Sequence, residues 1–393
     1  GTNEFVQWCD KVGAAPFLAV NLGTRGPDAA RSLVEYCNHG GGSTLSDLRK
    51  EHGFAEPHGI KLWCLGNEMD GPWQMGHKTG REYGRVACEA AKLMKWVDPG
   101  IELAACGSSG RFINTFGDWE LEVLDHTFDH VEYLSIHTYL SNADNDTPNF
   151  LAMPDGMDEF IEETTACCDA VAARRKSRKR IMLSFDEWNV WYHSHSAPPH
   201  EPWSIAPNQL EDAYTAEDAL CVGGMLISLL NHADRVKIAC LAQVVNVIGA
   251  IMTEGGGPAW RQTIFHPFAL TSANGRGKVL RSVVDSPRYD AKDREGVPVL
   301  KLAAVAQFDG IALFALNRDL ENPLDIEVEL RGFGDLKPGE WTVVRHDDLK
   351  AVNTRDNPNA VTPQTHSGAA MEDGLLKATL PPASWSVLRL VGG

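Results

Sequence analysis

Two glutamates in this 393-residue chain stand where chemistry can be done. Glu68 lies in Trp63-Cys64-Leu65-Gly66-Asn67-Glu68-Met69-Asp70-Gly71-Pro72-Trp73-Gln74, and Glu187 in Leu183-Ser184-Phe185-Asp186-Glu187-Trp188-Asn189-Val190-Trp191-Tyr192. Each follows a short apolar run, each has an asparagine beside or near it, and each is embedded in aromatic residues. Cleaving a glycosidic bond commonly takes two carboxyl groups, one protonated at rest and one ionised. Aromatic walls serve such a pair twice: their faces stack on sugar rings, and their bulk keeps a carboxyl dry enough to hold its proton. One glutamate at a strand–helix junction reads as a cap or a salt-bridged residue. Two in matched surroundings, three βα units apart, read as a working pair. If the reaction retains configuration, their carboxyls should stand about 5–5.5 Å apart, against roughly 6.5–9.5 Å for inversion.

The elements that must position them alternate along the chain. Strand-like runs fall at Phe17 to Leu22, Ile60 to Leu65, Ile101 to Cys106, Val131 to Ile136, Ile181 to Phe185 and Val236 to Ala242. Most are continuously apolar, as parallel strands covered on both faces are. Amphipathic stretches lie between them, at Glu82 to Val97, Met157 to Ala173 and Leu210 to Asn231, the last with a capping-box signature at Asn208 and Glu211. Polar residues follow every run: Asn21, Asn67-Glu68, Ser108-Ser109, His137 and Tyr139, Asp186-Glu187, then Gln243 and Asn246. Chemistry-bearing residues at the C-terminal ends of many strands mark a (β/α)₈ barrel rather than an open sheet with one switch point. No dinucleotide or P-loop glycine motif is present, and no metal or cofactor is expected. The barrel is expected over residues 1–270. Beyond it, short runs such as Val299 to Val305, Ile311 to Leu316, Ile326 to Leu330, Trp341 to Arg345, Leu376 to Leu380 and Trp385 to Val391, separated by turn residues, predict an all-β sandwich over 271–393. Asn353 to Gly374 reads as a long loop.

The longer stretches around Glu68 and Glu187 closely resemble the α-L-arabinofuranosidases of glycoside hydrolase family 51, within the clan of retaining barrel glycosidases. Ala19 to Gly26, Glu89 to Pro99 and Ala239 to Ile248 carry the same resemblance, which covers essentially the whole chain. It implies that Glu68 is the general acid/base and Glu187 the nucleophile. It implies further that Asn67 bonds the sugar 2-hydroxyl, that His137 and Tyr139 lie near the nucleophile with Tyr139 orienting it, that Gln243 contacts sugar hydroxyls, and that Trp191 walls the pocket. The implied activity is removal of terminal arabinofuranose from arabinoxylan or arabinan fragments by double displacement. Other retaining barrel glycosidases (an endoglucanase or xylanase) and a non-catalytic sugar-binding subunit are the alternatives. In the clan's counting Glu68 and Glu187 follow strands four and seven, which makes Phe17 to Leu22 strand three. Family members carry a further segment of roughly one hundred residues ahead of this, including two βα units of the barrel. A companion segment or second chain supplying barrel strands one and two is therefore expected, and the resemblance implies a homo-oligomer, a hexamer.

Composition narrows the remaining classes. Lysine plus arginine number 36 against 53 aspartate plus glutamate, a net charge of −17, which repels phosphate backbones and anionic membrane. The longest uncharged apolar run, Ile238 to Thr253, is too short and too polar to span a bilayer. Nine cysteines without a repeated spacing predict free thiols and a cytoplasmic protein. The basic run Arg174 to Arg180 reads as a solvated helix terminus, and Gly40 to Thr44 as a helix end and loop. His193, His195 and His200 read as loop histidines without metal-ligand spacing.

Overall fold

The computed structural model describes residues 1–392. It divides into two compact units. The first holds Gly1–Thr138, Phe160–Glu187 and Arg235–Ala239; the second holds Tyr139–Glu159, Trp188–Asp234 and the chain from Cys240 onward.

The core of the first unit is a sheet of strands β1 (Phe17–Ala19), β2 (Leu62–Cys64), β3 (Glu102–Cys106), β4 (Tyr133–Leu140), β5 (Met182–Val190) and β6 (Val236–Leu241), in that spatial order. β1 to β4 pair in parallel, with Phe17 opposite Leu62, Leu62 opposite Glu102 and Ala104 opposite Tyr133. Trp63, Leu103, Leu134 and Leu183 have no exposed surface, as the continuous apolar runs require of strands covered on both faces. Helix α1 (Thr2–Val12) precedes β1, and α2 (Pro27–Asn38), α3 (Thr44–Glu51), α4 (Gly80–Val97) and α5 (Asp118–Thr127) join the strands up to β4. α4 begins with a capping box, Thr79 Oγ1 accepting from the Glu82 N–H and the Glu82 carboxylate accepting from the Thr79 N–H, and buries Tyr83, Ala87, Ala90, Ala91 and Met94. The Tyr83 hydroxyl donates to the Leu65 carbonyl at 2.8 Å and accepts from the Cys106 N–H at 2.7 Å. One side chain of α4 thus pins the ends of β2 and β3, directly ahead of the Glu68 loop.

The companion-chain expectation is overturned. The first and second strands of the barrel sheet, Phe17–Ala19 and Leu62–Cys64, both belong to this chain and pair with each other directly. Counting strands by family analogy had numbered Phe17 to Leu22 third and left two strands to be found elsewhere. In the structure every strand in the sheet's order, first to sixth, comes from this chain. β1 and β6 stand at opposite ends of that order, as expected for two strands that do not close on one another.

The second unit contains α6 (Thr147–Ala152), α8 (Ala216–Asn231), α9 (Phe265–Asn274) and the β-rich region; α7 (Pro154–Arg174) begins in it. α8 begins at Ala216 under a Thr215–Asp218 capping box, not at Leu210. Asn208 and Glu211 satisfy the same pattern, but the chain over 205–212 is irregular, and the better box lies at the start of the continuous apolar run. Hairpin β7 (Ile251–Thr253) and β8 (Ala259–Arg261) precedes α9. Then follow β9 (Lys278–Leu280), β10 (Arg288–Ala291), β11 (Arg294–Pro298), β12 (Leu300–Gln307), β13 (Gly310–Asn317), β14 (Leu324–Glu329), β15 (Leu336–Val344), β16 (Gln364–Thr365), β17 (Ala370–Glu372), β18 (Leu375–Leu380) and β19 (Ser384–Gly392). A six-stranded sheet, β16-β15-β19-β13-β12-β9, and a three-stranded sheet, β14-β18-β17, enclose the sandwich core of Leu313, Ile326, Trp341, Val343, Leu376 and Leu390. The fold is therefore a (β/α)-barrel sheet followed by an all-β sandwich region. A Cβ on Gly223 of α8 would lie 2.3 Å from Trp385 Cδ1, so only glycine lets β19 approach that helix.

Among the described residues no helix is long and apolar enough to cross a membrane, and all nine cysteines are free. Arg174 and Arg175 of the basic run pair with Asp125 and Asp129.

Candidate active site

Glu68 sits on a sharp turn just past β2. Its φ is 43° and that of Gly66 is 117°; a non-glycine residue in the left-handed region costs roughly 1–2 kcal/mol. A Cβ on Gly66 would lie 2.9 Å from Met69 Cγ. The turn is held by the Gly71 N–H on the Glu68 carbonyl and the Lys78 N–H on the Met69 carbonyl, both at 2.9 Å. Strain of this kind persists where its surroundings over-determine it, commonly at functional sites.

Two strands converge on this turn. Side chains two apart on a strand share a face, so Ser135 and His137 of β4 point the same way, as do Ser184 and Asp186 of β5. His137 is buried and engages carboxylates through both ring nitrogens: Nδ1 lies 3.0 Å from Glu68 Oε1 and Nε2 lies 3.1 Å from Asp186 Oδ1. Nδ1 is also 3.7 Å from Glu187 Oε2. Asp186 accepts hydroxyl hydrogen bonds from Ser135 at 2.6 Å and Ser184 at 3.0 Å. The Glu68 carboxylate accepts from the Trp73 indole N–H at 2.5 Å and the Gln74 amide at 3.4 Å. One oxygen each of Glu68 and Glu187 and one nitrogen of His137 all lie within 4.8 Å of one another. Such a trio can converge on a cation, but carboxylates on both nitrogens call for a ring that donates twice. A cavity of about 140 Å³ opens here, lined by Asn67, His137, Asp186 and Glu187 with Phe17 and Cys64.

The charges follow from these contacts. Burial disfavours the His137 imidazolium, but the hydrogen bonds to Asp186 and Glu68 and the charges of Glu187 and Asp186 hold its pKa well above the ordinary value. Burial pushes the Glu68 carboxyl up, yet the His137 hydrogen bond and charge, with Trp73 and Gln74, bring it below the usual range. The aromatic neighbour expected to keep a proton on the acid instead donates to its ionised form. These contacts favour the proton on His137 over Glu68.

Asn67, Glu68, His137 and Glu187 are thus brought together in the first unit. Tyr139, Trp191 and Gln243 lie in the second. There the Tyr139 and Trp191 rings meet edge-to-face at 5.2 Å, and the Gln243 N–H donates to the Ile248 carbonyl. Fully buried Asn189 fixes this region by donating to the carbonyls of Ala242 at 2.7 Å and Ile248 at 2.9 Å. His193 bonds the buried Asp218 at 2.8 Å, and the His195 ring packs on Trp191. Ser135 and Ser184 were not singled out by sequence reasoning. Their signal was the two-residue spacing that puts each on the face of His137 or Asp186.

Carboxyl groups gathered at the strand ends of a parallel α/β sheet, with an all-β region after it, describe a barrel-type glycoside hydrolase. Known proteins resolve the class further. Residues 186–384 match the family model described as the α-L-arabinofuranosidase C-terminal domain, and residues 1–155 match the α-L-arabinofuranosidase 1 domain. An intracellular exo-α-(1→5)-L-arabinofuranosidase of Halalkalibacterium halodurans is 55% identical, over 99% of this chain and 78% of its own length. An exo-α-(1→6)-L-arabinofuranosidase of Bifidobacterium longum is 44% identical, over 99% and 77%. The solved structure of a family 51 α-L-arabinofuranosidase from Bifidobacterium longum superposes with a TM-score of 0.93 at 40% identity, over 99% of this chain and 78% of that one. The chain belongs to the α-L-arabinofuranosidases of glycoside hydrolase family 51.

Proposed function

We propose that this protein is a retaining, exo-acting α-L-arabinofuranosidase that releases terminal arabinofuranose from α-(1→5)-linked arabino-oligosaccharides inside the cell. The linkage and location are those of the 55% identical relative; the 44% identical relative is named for (1→6) linkages. The observation that carries the mechanism is the approach of Glu68 and Glu187 oxygens to within 4.8 Å, which supports retention, since an inverting pair must leave room for a water. In the first step Glu68, which takes up a proton from solvent as substrate binds, gives it to the glycosidic oxygen as the bond to C1 breaks, and a Glu187 oxygen bonds C1. In the second step Glu68 takes a proton from water, the water oxygen bonds C1, and Glu187 departs as carboxylate. Asn67 holds the sugar 2-hydroxyl, Tyr139 orients the nucleophile, Trp191 walls the pocket and Gln243 contacts sugar hydroxyls, the roles that the family resemblance gives them. Residues 1–270 form the catalytic barrel domain and 271–393 the sandwich domain in this reading. That family members carry a further segment is supported by the 78% of the first relative's length that this chain spans. The test is turnover: aryl α-L-arabinofuranosides and α-(1→5)-arabinobiose should be hydrolysed, and aryl xylosides and glucosides should not. The reverse preference overturns the reading.

A further inference from the structure

Asp186 precedes the proposed nucleophile, and the mechanism above gives it no part. Its two oxygens accept from Ser184, Ser135 and His137 Nε2. A carboxylate is an acceptor only, so it fixes a proton on Nε2, and the buried ring cannot swing away. The other nitrogen, Nδ1, faces both Glu68 at 3.0 Å and Glu187 at 3.7 Å. The remaining titratable group packed here is the Cys64 thiol on β2, kept protonated by its hydrogen bond with Cys106 and by burial.

We propose that Asp186 is a positioning residue that keeps both nitrogens of His137 protonated, so that the single Nδ1–H serves whichever of Glu68 and Glu187 is ionised. The inference rests on the roles given to those two glutamates. Once Glu68 has taken up the proton it will donate, Glu187 is the ionised one and receives the Nδ1–H. When C1 bonds to Glu187 and the Glu68 proton leaves with the departing oxygen, Glu68 becomes the carboxylate and the Nδ1–H turns to it. Hydrolysis reverses the exchange. His137 gives up no proton at any point, and the cluster's charge balance is kept across both half-reactions.

Two measurements test this. The first is ring ¹⁵N NMR of the wild-type protein with labelled histidine, the His137 signal being identified among fourteen by its loss in His137→Gln. Both nitrogens should remain protonated from about pH 5 to 8, where an ordinary histidine loses its charge. A neutral His137 in that range overturns the proposal, whatever any variant does. The second uses Asp186→Asn. Its His137 should titrate within the same range, and kcat should fall roughly 10–100-fold on both an activated aryl arabinofuranoside and arabinobiose, with KM changed less than about threefold. Should Asp186→Asn not fold, Ser184→Ala, which removes one of the hydroxyls fixing the carboxylate, should show the same changes in smaller measure. Loss of activity with the ring still doubly protonated would show that Asp186 only supports β5, and would overturn the proposal. Failure of the wild type to cleave any arabinofuranoside would refute the functional reading separately, because the NMR result does not depend on turnover.

Discussion

Replacing Trp73 with phenylalanine isolates one hydrogen bond. The indole N–H donates to Glu68 Oε2 at 2.5 Å, while the ring face stacks on Phe112 at 6.5 Å, a contact that phenylalanine keeps in part. Hydrogen bonds to charged groups contribute about 1.5–3 kcal/mol. Trp73 is 53% exposed, so solvent competes and about 1 kcal/mol is a fair expectation. One pKa unit corresponds to about 1.36 kcal/mol, so the loss should raise the Glu68 pKa by roughly 0.5–1 unit. The sign is fixed by the chemistry: a donor removed from the ionised form favours the protonated one. The general acid is then kept to higher pH, and the basic limb of the kcat/KM profile on arabinobiose should move up by that amount. With a good aryl leaving group, which needs little protonation, the limb should move less. A basic limb that stays in place or moves down would refute the assignment of Glu68 as the acid that Trp73 tunes.

The two carboxyls should separate by mutation. Glu187→Ala should lose nearly all turnover and recover part of it with added azide, yielding a product of inverted configuration. Glu68→Ala should impair arabinobiose far more than activated aryl substrates; equal losses on both would mean the acid is wrongly assigned. In the second unit, Lys301 and Arg318 hold the half-buried Asp155 pKa down to about 2, against partial burial and from an ordinary 3.8. A depressed carboxylate contributes stability above its unfolded pKa that is lost as pH falls through the folded one. The shift corresponds to about 2 kcal/mol, so the stability deficit of Asp155→Asn in denaturant titrations should be largest near neutrality and shrink between pH 3.8 and about 2; a deficit independent of pH would contradict this. Gly223→Ala should cost about 1–3 kcal/mol by overpacking, read from the denaturation midpoint, because the new methyl meets Trp385; an unchanged midpoint would show that β19 yields.

The strands of the sheet were legible because buried parallel strands write themselves as unbroken apolar runs. Ile101 to Cys106 and Val236 to Ala242 emerge within a residue of their observed limits, as does Trp385 to Val391 for β19, while Trp341 to Arg345 marks only the second half of β15. The short hairpins β7–β8 and β10–β11 were not legible. β7 and β8 are only three residues each, and β10, Arg288-Tyr289-Asp290-Ala291, is polar and half-exposed, so turn geometry rather than burial makes them strands. Local patterning misled at Asn208, where a capping pattern had no helix to cap. Glu68 and Glu187 stood out by their aromatic settings, but sequence could not show that His137 would come between them. That depends on β4 lying between β3 and β5, a matter of sheet order. Nor could it show the protonation of the cluster, since the indole of Trp73 can shield a carboxyl or donate to it, and only the distance decides. The companion strands were a miscount of another kind, in which a numbering borrowed from relatives was applied to a sheet whose first two strands this chain supplies.

The central claim is double displacement by Glu68 and Glu187 on an arabinofuranoside, and the anomer released first tests it most directly. Proton NMR of the early hydrolysis of an α-L-arabinofuranoside, recorded before the product mutarotates, should show α-L-arabinofuranose first. The β-anomer appearing first would contradict the account.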